Sequence, residues 1–251
     1  MTYMSGHSKW NTIKRAKAIT DAKKGKAFTK IAKNITVAVR TGGGADPGFN
    51  FQLRQALDKA KEVGMPKENV ERAIARGKGE GKESIQQATY EGYGPAGSAL
   101  IVETVTDNTN RALQSVRNIF TKHHGRLGEQ GSVSWMFESK GEILIEKETL
   151  LSAKGGSASG GEDLSLELID QGVEDVKETE HGLEIYTLPL DLEKTKKFIE
   201  SKRIKILSSE LIMRPQQSVG LSAGDAEKVQ TLIDALNDDD DVTAVHSNVN
   251  L

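Results

Sequence analysis

Cysteine is absent from the 251 residues, which removes disulfide frameworks, thiolate zinc sites, iron–sulfur clusters and cysteine nucleophiles from consideration. A reducing compartment suits such a chain, and a cytoplasmic location is expected. Long apolar runs are missing as well. No stretch approaches the eighteen or so apolar residues of a membrane span, and the opening MTYMSGHSKW lacks the apolar core of a secretory signal. A soluble, intracellular protein with no membrane partner follows as the expectation. Aromatic residues make up only 5% of the chain, so an aromatic standing among charges, as Trp10 does, draws notice.

Catalytic patterns are also lacking. GYGPAG at 92–97 satisfies G-x-G-x-x-G but precedes a strand and opens no helix, so its amides cannot form a pyrophosphate cradle. GEGKES at 79–84 places Glu83 where a phosphate loop needs a magnesium-binding hydroxyl. His123 and His124 are adjacent, and neighbours on a helix diverge by about 100°, so the pair reads as a polar helix end before Gly125 and not as a metal site. His7, His181 and His246 stand apart from one another, and no G-x-S-x-G elbow presents a serine. No enzyme, cofactor or metal is expected.

What the chain has is charge, unevenly spread. Its formal net charge is only −2, yet residues 1–80 hold 17 Lys+Arg against 7 Asp+Glu, while residues 141–251 hold 11 against 23. A basic head on an acidic body suggests one end built to meet a polyanion and a remainder repelled from it.

Periodicity divides the chain further. Phe28, Ile31, Ala32, Ile35 and Val39 form one helical stripe that stops at Gly42-Gly43-Gly44. Leu53, Ala56, Leu57, Ala60 and Val63 form a second up to Gly64. Val70, Ala73 and Ile74 form a third, from Pro66 to Gly77. Three such helices should pack as a bundle. RGKGEGKES at 76–84 reads as a linker.

Strands and helices then alternate. Ala99 to Val105 reads as a strand, DNTNRALQSVRNIF as a capped helix, and Ser132 to Phe137 as a strand. A second set runs through strand Ile143–Glu146, helix Leu164–Ile169, strand Leu183–Leu188, helix Leu192–Ser201 and strand Ile204–Met213, resembling a ferredoxin-like unit. AKGGSASGGED reads as a low-complexity loop between them. A last helix with Val229, Leu232, Ile233 and Leu236, the acidic turn Asp238–Asp241 and a strand over Val242–Val249 need a sheet to join, and the first α/β unit is a candidate.

The candidate site is the basic front. Residues 1–40 hold ten Lys+Arg against the single acid Asp21. Lys23, Lys26, Lys30 and Lys33 project from the polar side of the first helix, with Lys24 beside them; Lys9, Lys14, Arg15 and Lys17 precede that helix and Arg40 follows near its end. Trp10 could stack on a base or plug onto the bundle. Lysine gives point-charge contacts to phosphate, whereas reading base edges would call on Asn11, Arg15, Asn34 or Arg40.

GHSKWNTIKRAKAITDAKKGKAFTKIAK, EGYGPAG, TDNTNRA, LGEQGSVSWMF and PLDLEKTKKFIE, in this order along almost the whole chain, resemble the YebC/PmpR family of bacterial proteins, whose mitochondrial relatives include a translational activator of a cytochrome oxidase subunit. The resemblance implies an α+β multidomain fold: a basic arm and three-helix bundle over 1–80, a discontinuous α/β domain over 84–138 and 217–251, and a ferredoxin-like α/β domain over 139–216 inserted into it. It implies a non-enzymatic cytoplasmic regulator of gene expression, usually a DNA-binding transcriptional regulator, with a ribosome-associated translation factor as the alternative. DNA or ribosomal RNA is the implied partner, with ribosome or transcription machinery beyond it, and a monomer is expected. The front block of the family falls here on His7, Ser8, Lys9, Trp10, Asn11, Lys14, Arg15 and Lys17.

Overall fold

A computed structural model describes Trp10 and residues 21–79, 85–153 and 160–249, with the side chains of 21–23 and 151–163 outside the description. Helix α1 (Asp21–Thr41) buries Ile31, Ile35, Ala38 and Val39, the apolar stripe read from the sequence. It ends where Gly43 and Gly44 take φ of 95° and 109°, a region costly for any residue with a Cβ. Asn50 then starts α2 (Phe51–Glu62). Its Oδ1 accepts from the Leu53 amide at 2.9 Å, and its Nδ2 donates to the Ala38 carbonyl at 2.7 Å, so one fully buried side chain caps a helix and ties it to the preceding one. Helix α3 (Lys67–Gly77) follows Pro66 and completes a bundle around Leu53, Ala56, Ala60, Met65 and Ala73.

Two four-stranded antiparallel sheets follow. The first is formed by β1 (Gln86–Tyr93), β2 (Ala99–Thr106), β3 (Arg126–Leu127) and β8 (Val242–Ser247), in the order β3-β1-β2-β8. Helices α4 (Thr109–Lys122) and α8 (Ala223–Asp238) bury Val116, Phe120, Val229, Leu232 and Leu236 against Leu100, Val102 and Val242. The last strand of this sheet therefore comes from far along the chain. Between them run β4 (Phe137–Glu146), α5 (Lys147–Ala153), α6 (Gly160–Asp170), β5 (Asp175–Glu178), β6 (Gly182–Thr187), α7 (Leu192–Ser201) and β7 (Ser208–Pro215), whose strands lie in the order β5-β6-β4-β7. Ile143, Ile145, Leu183 and Ile185 face Leu164, Leu168, Leu192 and Ile199 in its core.

Several elements differ from the sequence expectation. Strand β1 (QQATYEGY) went unread because Gln, Glu and Gly interrupt its apolar alternation, although it lies inside the sheet. Strand β5 and helix α5 are short and polar and went unread for the same reason. Ser132–Phe137 is no strand: Ser134–Met136 forms a 3₁₀ turn and the strand begins at Phe137. The final strand of the second sheet starts at Ser208, four residues later than expected.

Gly77 marks the closest approach of α3 to α1. A Cβ there would stand 2.5 Å from Val39 Cβ and 2.9 Å from the Thr36 carbonyl oxygen, both on a rigid helix. Gly77→Ala is expected to lower unfolding stability by about 1–3 kcal/mol through overpacking, measured by urea unfolding. An unchanged midpoint would mean that the crossing is looser than this geometry.

Candidate nucleic-acid interface

The lysine face of α1 is only partly open to solvent, because Lys30 and Lys33 on it are half-buried. Its residues 26, 30 and 33 recur at spacings of four and three, which aligns them on one side of the helix. They meet the carbonyl end of α8 and the acidic turn after it. Lys26 Nζ donates to the Asp238 carbonyl at 3.3 Å, Lys30 to the Asn237 carbonyl at 2.5 Å, and Lys33 to the Asp240 carbonyl at 2.9 Å. The last carbonyls of a helix lack intrahelical donors and carry its negative dipole end, so ammonium groups satisfy both needs. Burial lowers the Lys30 pKa, partly offset by Asp239, Asp240 and Asp238.

Asp241 is the centre of this contact. The residue is 6% exposed; its Oδ1 accepts from Lys33 Nζ at 2.6 Å, and its Oδ2 from Arg111 at 2.9 Å and Thr106 Oγ1 at 3.0 Å. One carboxylate therefore joins α1 to β2 and α4. Burial alone would raise its pKa, but hydrogen bonds from Lys33, Arg111 and Thr106 outweigh it and hold the group below its ordinary value of 3.8. Asp239 beside it accepts from Ser115 on α4.

A second seam joins the bundle to the other sheet. Arg54 on α2 pairs with Glu193 on α7 at 3.0 Å, Asp58 accepts from Lys196 at 2.6 Å, and Lys59 pairs with Glu210 on β7. Trp10 adds a third tie. It is 1% exposed, and its indole N–H donates to Glu184 Oε1 at 2.9 Å on β6, whose other oxygen accepts from Tyr186. The Arg214 guanidinium lies 3.7 Å from the centre of the Tyr186 ring.

These contacts correct two expectations. Trp10 is neither an open stacking platform nor a plug on the bundle; a carboxylate of the second sheet takes its donor in a buried site. Lys26, Lys30 and Lys33 form an interdomain contact, and the acidic half supplies their partners instead of standing apart as a repelled body. Arg40 reaches the Arg76 carbonyl at 3.3 Å and the Ile85 carbonyl at 3.4 Å, across the linker. Lys24 is exposed. Lys23 lies in α1 with its side chain outside the described residues, as are His7, Ser8, Lys9, Asn11, Lys14, Arg15 and Lys17. Among the described residues, no group of acids and histidines could hold a metal ion, and no helix is long and apolar enough to cross a membrane.

Another carboxylate explains two of the sequence blocks. Glu91, from EGYGPAG, is 5% exposed and accepts amide N–H bonds from Gly131, Val133 and Ser134, within LGEQGSVSWMF, at 2.8, 2.7 and 2.8 Å. Burial would raise its pKa, but those three amides hold it below the ordinary value. This is a fixed loop, with Trp135 67% exposed at its tip.

Comparison with known proteins agrees with this architecture. Residues 8–80 match the model for the TACO1/YebC protein N-terminal domain, and residues 85–249 that for the TACO1/YebC second and third domain. The chain belongs to the TACO1/YebC family. A relative from Pelotomaculum thermopropionicum is 46% identical over 98% of each chain, and one from Syntrophus aciditrophicus is 44% identical over 99% of this chain and 96% of its own. Each of those two is named "Probable transcriptional regulatory protein". The crystal structure of a conserved hypothetical protein, Aq1575 from Aquifex aeolicus, superposes with a TM-score of 0.80 at 40% identity over 92% of each chain.

Sequence reasoning missed Asp241, Arg111, Glu91 and the Arg54–Glu193 and Asp58–Lys196 pairs. One signal for the first was present: three lysines at helical spacing in the head and four consecutive aspartates, 238–241, in the tail. Because the folded pKa values of Asp241 and Glu91 lie below their ordinary ones of 3.8 and 4.5, their contribution to stability is full above about pH 5 and is lost as pH falls through the lower folded values. Asp241→Asn is expected to be less stable by about 1–3 kcal/mol at pH 7 and to lose less than the wild type on acidification, measured by urea midpoints between about pH 2.5 and 7. Parallel acid profiles would remove Asp241 from the account.

Proposed function

We propose that this protein is a non-enzymatic regulator of gene expression that holds nucleic acid through its basic N-terminal part, as a DNA-binding transcriptional regulator of the cytoplasm. In this reading it works as three units: the arm and bundle over 1–80, a middle α/β unit over 84–138 and 217–251, and a ferredoxin-like unit over 139–216 inserted into the middle one. The names of its relatives support regulation. The observation that carries nucleic-acid binding is the excess of charge: ten cations stand against one acid in residues 1–40, and the four carboxylates of the acidic turn can balance only part of them. A phosphate backbone is the polyanion that relieves such an excess, and it gains by releasing condensed counterions.

Lys9, Lys14, Arg15 and Lys17 are the residues assigned to that interface. Replacing all four with alanine is expected to weaken duplex DNA binding and to flatten the log–log salt dependence by about 0.9 for each phosphate no longer neutralised. Shift assays at several salt concentrations measure this, and an unchanged slope would remove the four from the interface. Gradient sedimentation of lysate with and without nuclease separates the two targets. Co-migration with ribosomes, together with no sequence preference on DNA, would replace the transcriptional reading with translation.

A further inference from the structure

A cleft of about 310 Å³ opens between α1, α3 and the start of α4, at the small end of the range of about 300–1,000 Å³ for ligand sites. Phe28 and Met65, both part of the bundle's apolar packing, are among its lining. Its walls are cationic, with Lys33, Arg72, Arg76 and Arg111 against a single carboxylate, Asp107. Two of the cations are already matched. Arg111 pairs with Asp107 at 2.7 Å and with Asp241 at 2.9 Å, and Lys33 pairs with Asp241 at 2.6 Å. Arg72 and Arg76 are different. Both are exposed, and neither side chain makes an ion pair or hydrogen bond with any described residue.

These two stand four residues apart on α3, and so lie on one face with a rise of about 6 Å between them. The guanidinium is a planar fork of donors that binds phosphate oxygens two at a time, and unlike an ammonium it loses little by leaving water. Phe28 also lines the cleft; it is half-buried, packing partly against the bundle core, and the rest of its ring is the aromatic surface on which a base could stack. A partly exposed ring in the same lining as a pair of unmatched forks suits one nucleotide better than inorganic phosphate, which needs no ring. The cleft is also too small for a paired stack.

We infer that this cleft holds one nucleotide of an unpaired polynucleotide strand, with its phosphate on Arg72 and Arg76 and its base over Phe28. The inference rests on the nucleic-acid reading above but not on the choice between DNA and RNA. It places a specific binding position on α3, within the basic head but outside its first forty residues.

The test uses the full chain with a fluorescent oligo(U) or oligo(dT), a duplex of equal length, and adenosine monophosphate as competitor. Arg72→Ala/Arg76→Ala is expected to weaken single-strand binding at least about tenfold and to lower its salt slope by about 0.7 for each of one or two phosphates released. Duplex binding should change much less. Arg72→Lys/Arg76→Lys should keep the slope while losing part of the affinity. An oligonucleotide carrying 4-thiouridine should crosslink to the peptide that contains Phe28. Both arginines are exposed, so thermal melting of the variants should match the wild type. If the wild type binds single strands and the alanine variant binds them with the same affinity and slope, the cleft is excluded and the nucleic-acid reading survives. Equal weakening on strand and duplex, or displacement of the oligonucleotide by stoichiometric adenosine monophosphate, would overturn the unpaired-strand assignment. Failure of the wild type to bind either polymer would sink both.

Discussion

A buried carboxylate must find donors, and the way Asp241 finds them holds this molecule together. Left alone at 6% exposure it would cost several kcal/mol or take up a proton. Lys33 comes from the bundle, Arg111 from α4 and Thr106 from the end of β2, so satisfying one side chain joins three elements of two folding units. The preceding residues extend the contact, because the carbonyl end of α8 accepts from Lys26 and Lys30.

The charge asymmetry of the chain is used in part within the molecule itself. Part of the basic head is complementary to the acidic turn within the same molecule, and the Arg54–Glu193 and Lys59–Glu210 pairs repeat the device at the other seam, where Asp58–Lys196 runs the opposite way. The Lys33–Asp241, Arg54–Glu193 and Asp58–Lys196 pairs are part-buried, so salt screens them less than it would an exposed pair. The excess of the head over those internal partners is the share that the proposed function assigns to an external polyanion. Trp10 adds an uncharged tie, since its indole donates to Glu184 and joins the front of the chain to the second sheet.

Much of the fold was legible because its signals are local. The stripe from Phe28 to Val39, the glycine stop at 42–44 and the Asn108 cap of α4 each state their structure within a few residues. Strand β1 was not legible, since its place inside the sheet comes from neighbours at Ala99–Thr106 and Arg126–Leu127 and not from its own apolar content. The site was legible only as charge. Composition located the lysines but could not say that 26, 30 and 33 face an acidic turn more than two hundred residues away, because complementarity over that separation is a property of packing. Trp10 was misread for a related reason: a tryptophan among cations looks exposed until a distant carboxylate is brought to its N–H.

The most direct test is the coupling between Lys33 and Asp241. A double-mutant cycle of Lys33→Ala and Asp241→Ala, read by urea unfolding at pH 7, should give an interaction energy of about 1 kcal/mol or more, since the pair is part-buried and shares a network. Effects that add within about 0.3–0.5 kcal/mol would show that the two residues act independently, and would contradict the claim that this carboxylate joins the bundle to the first sheet.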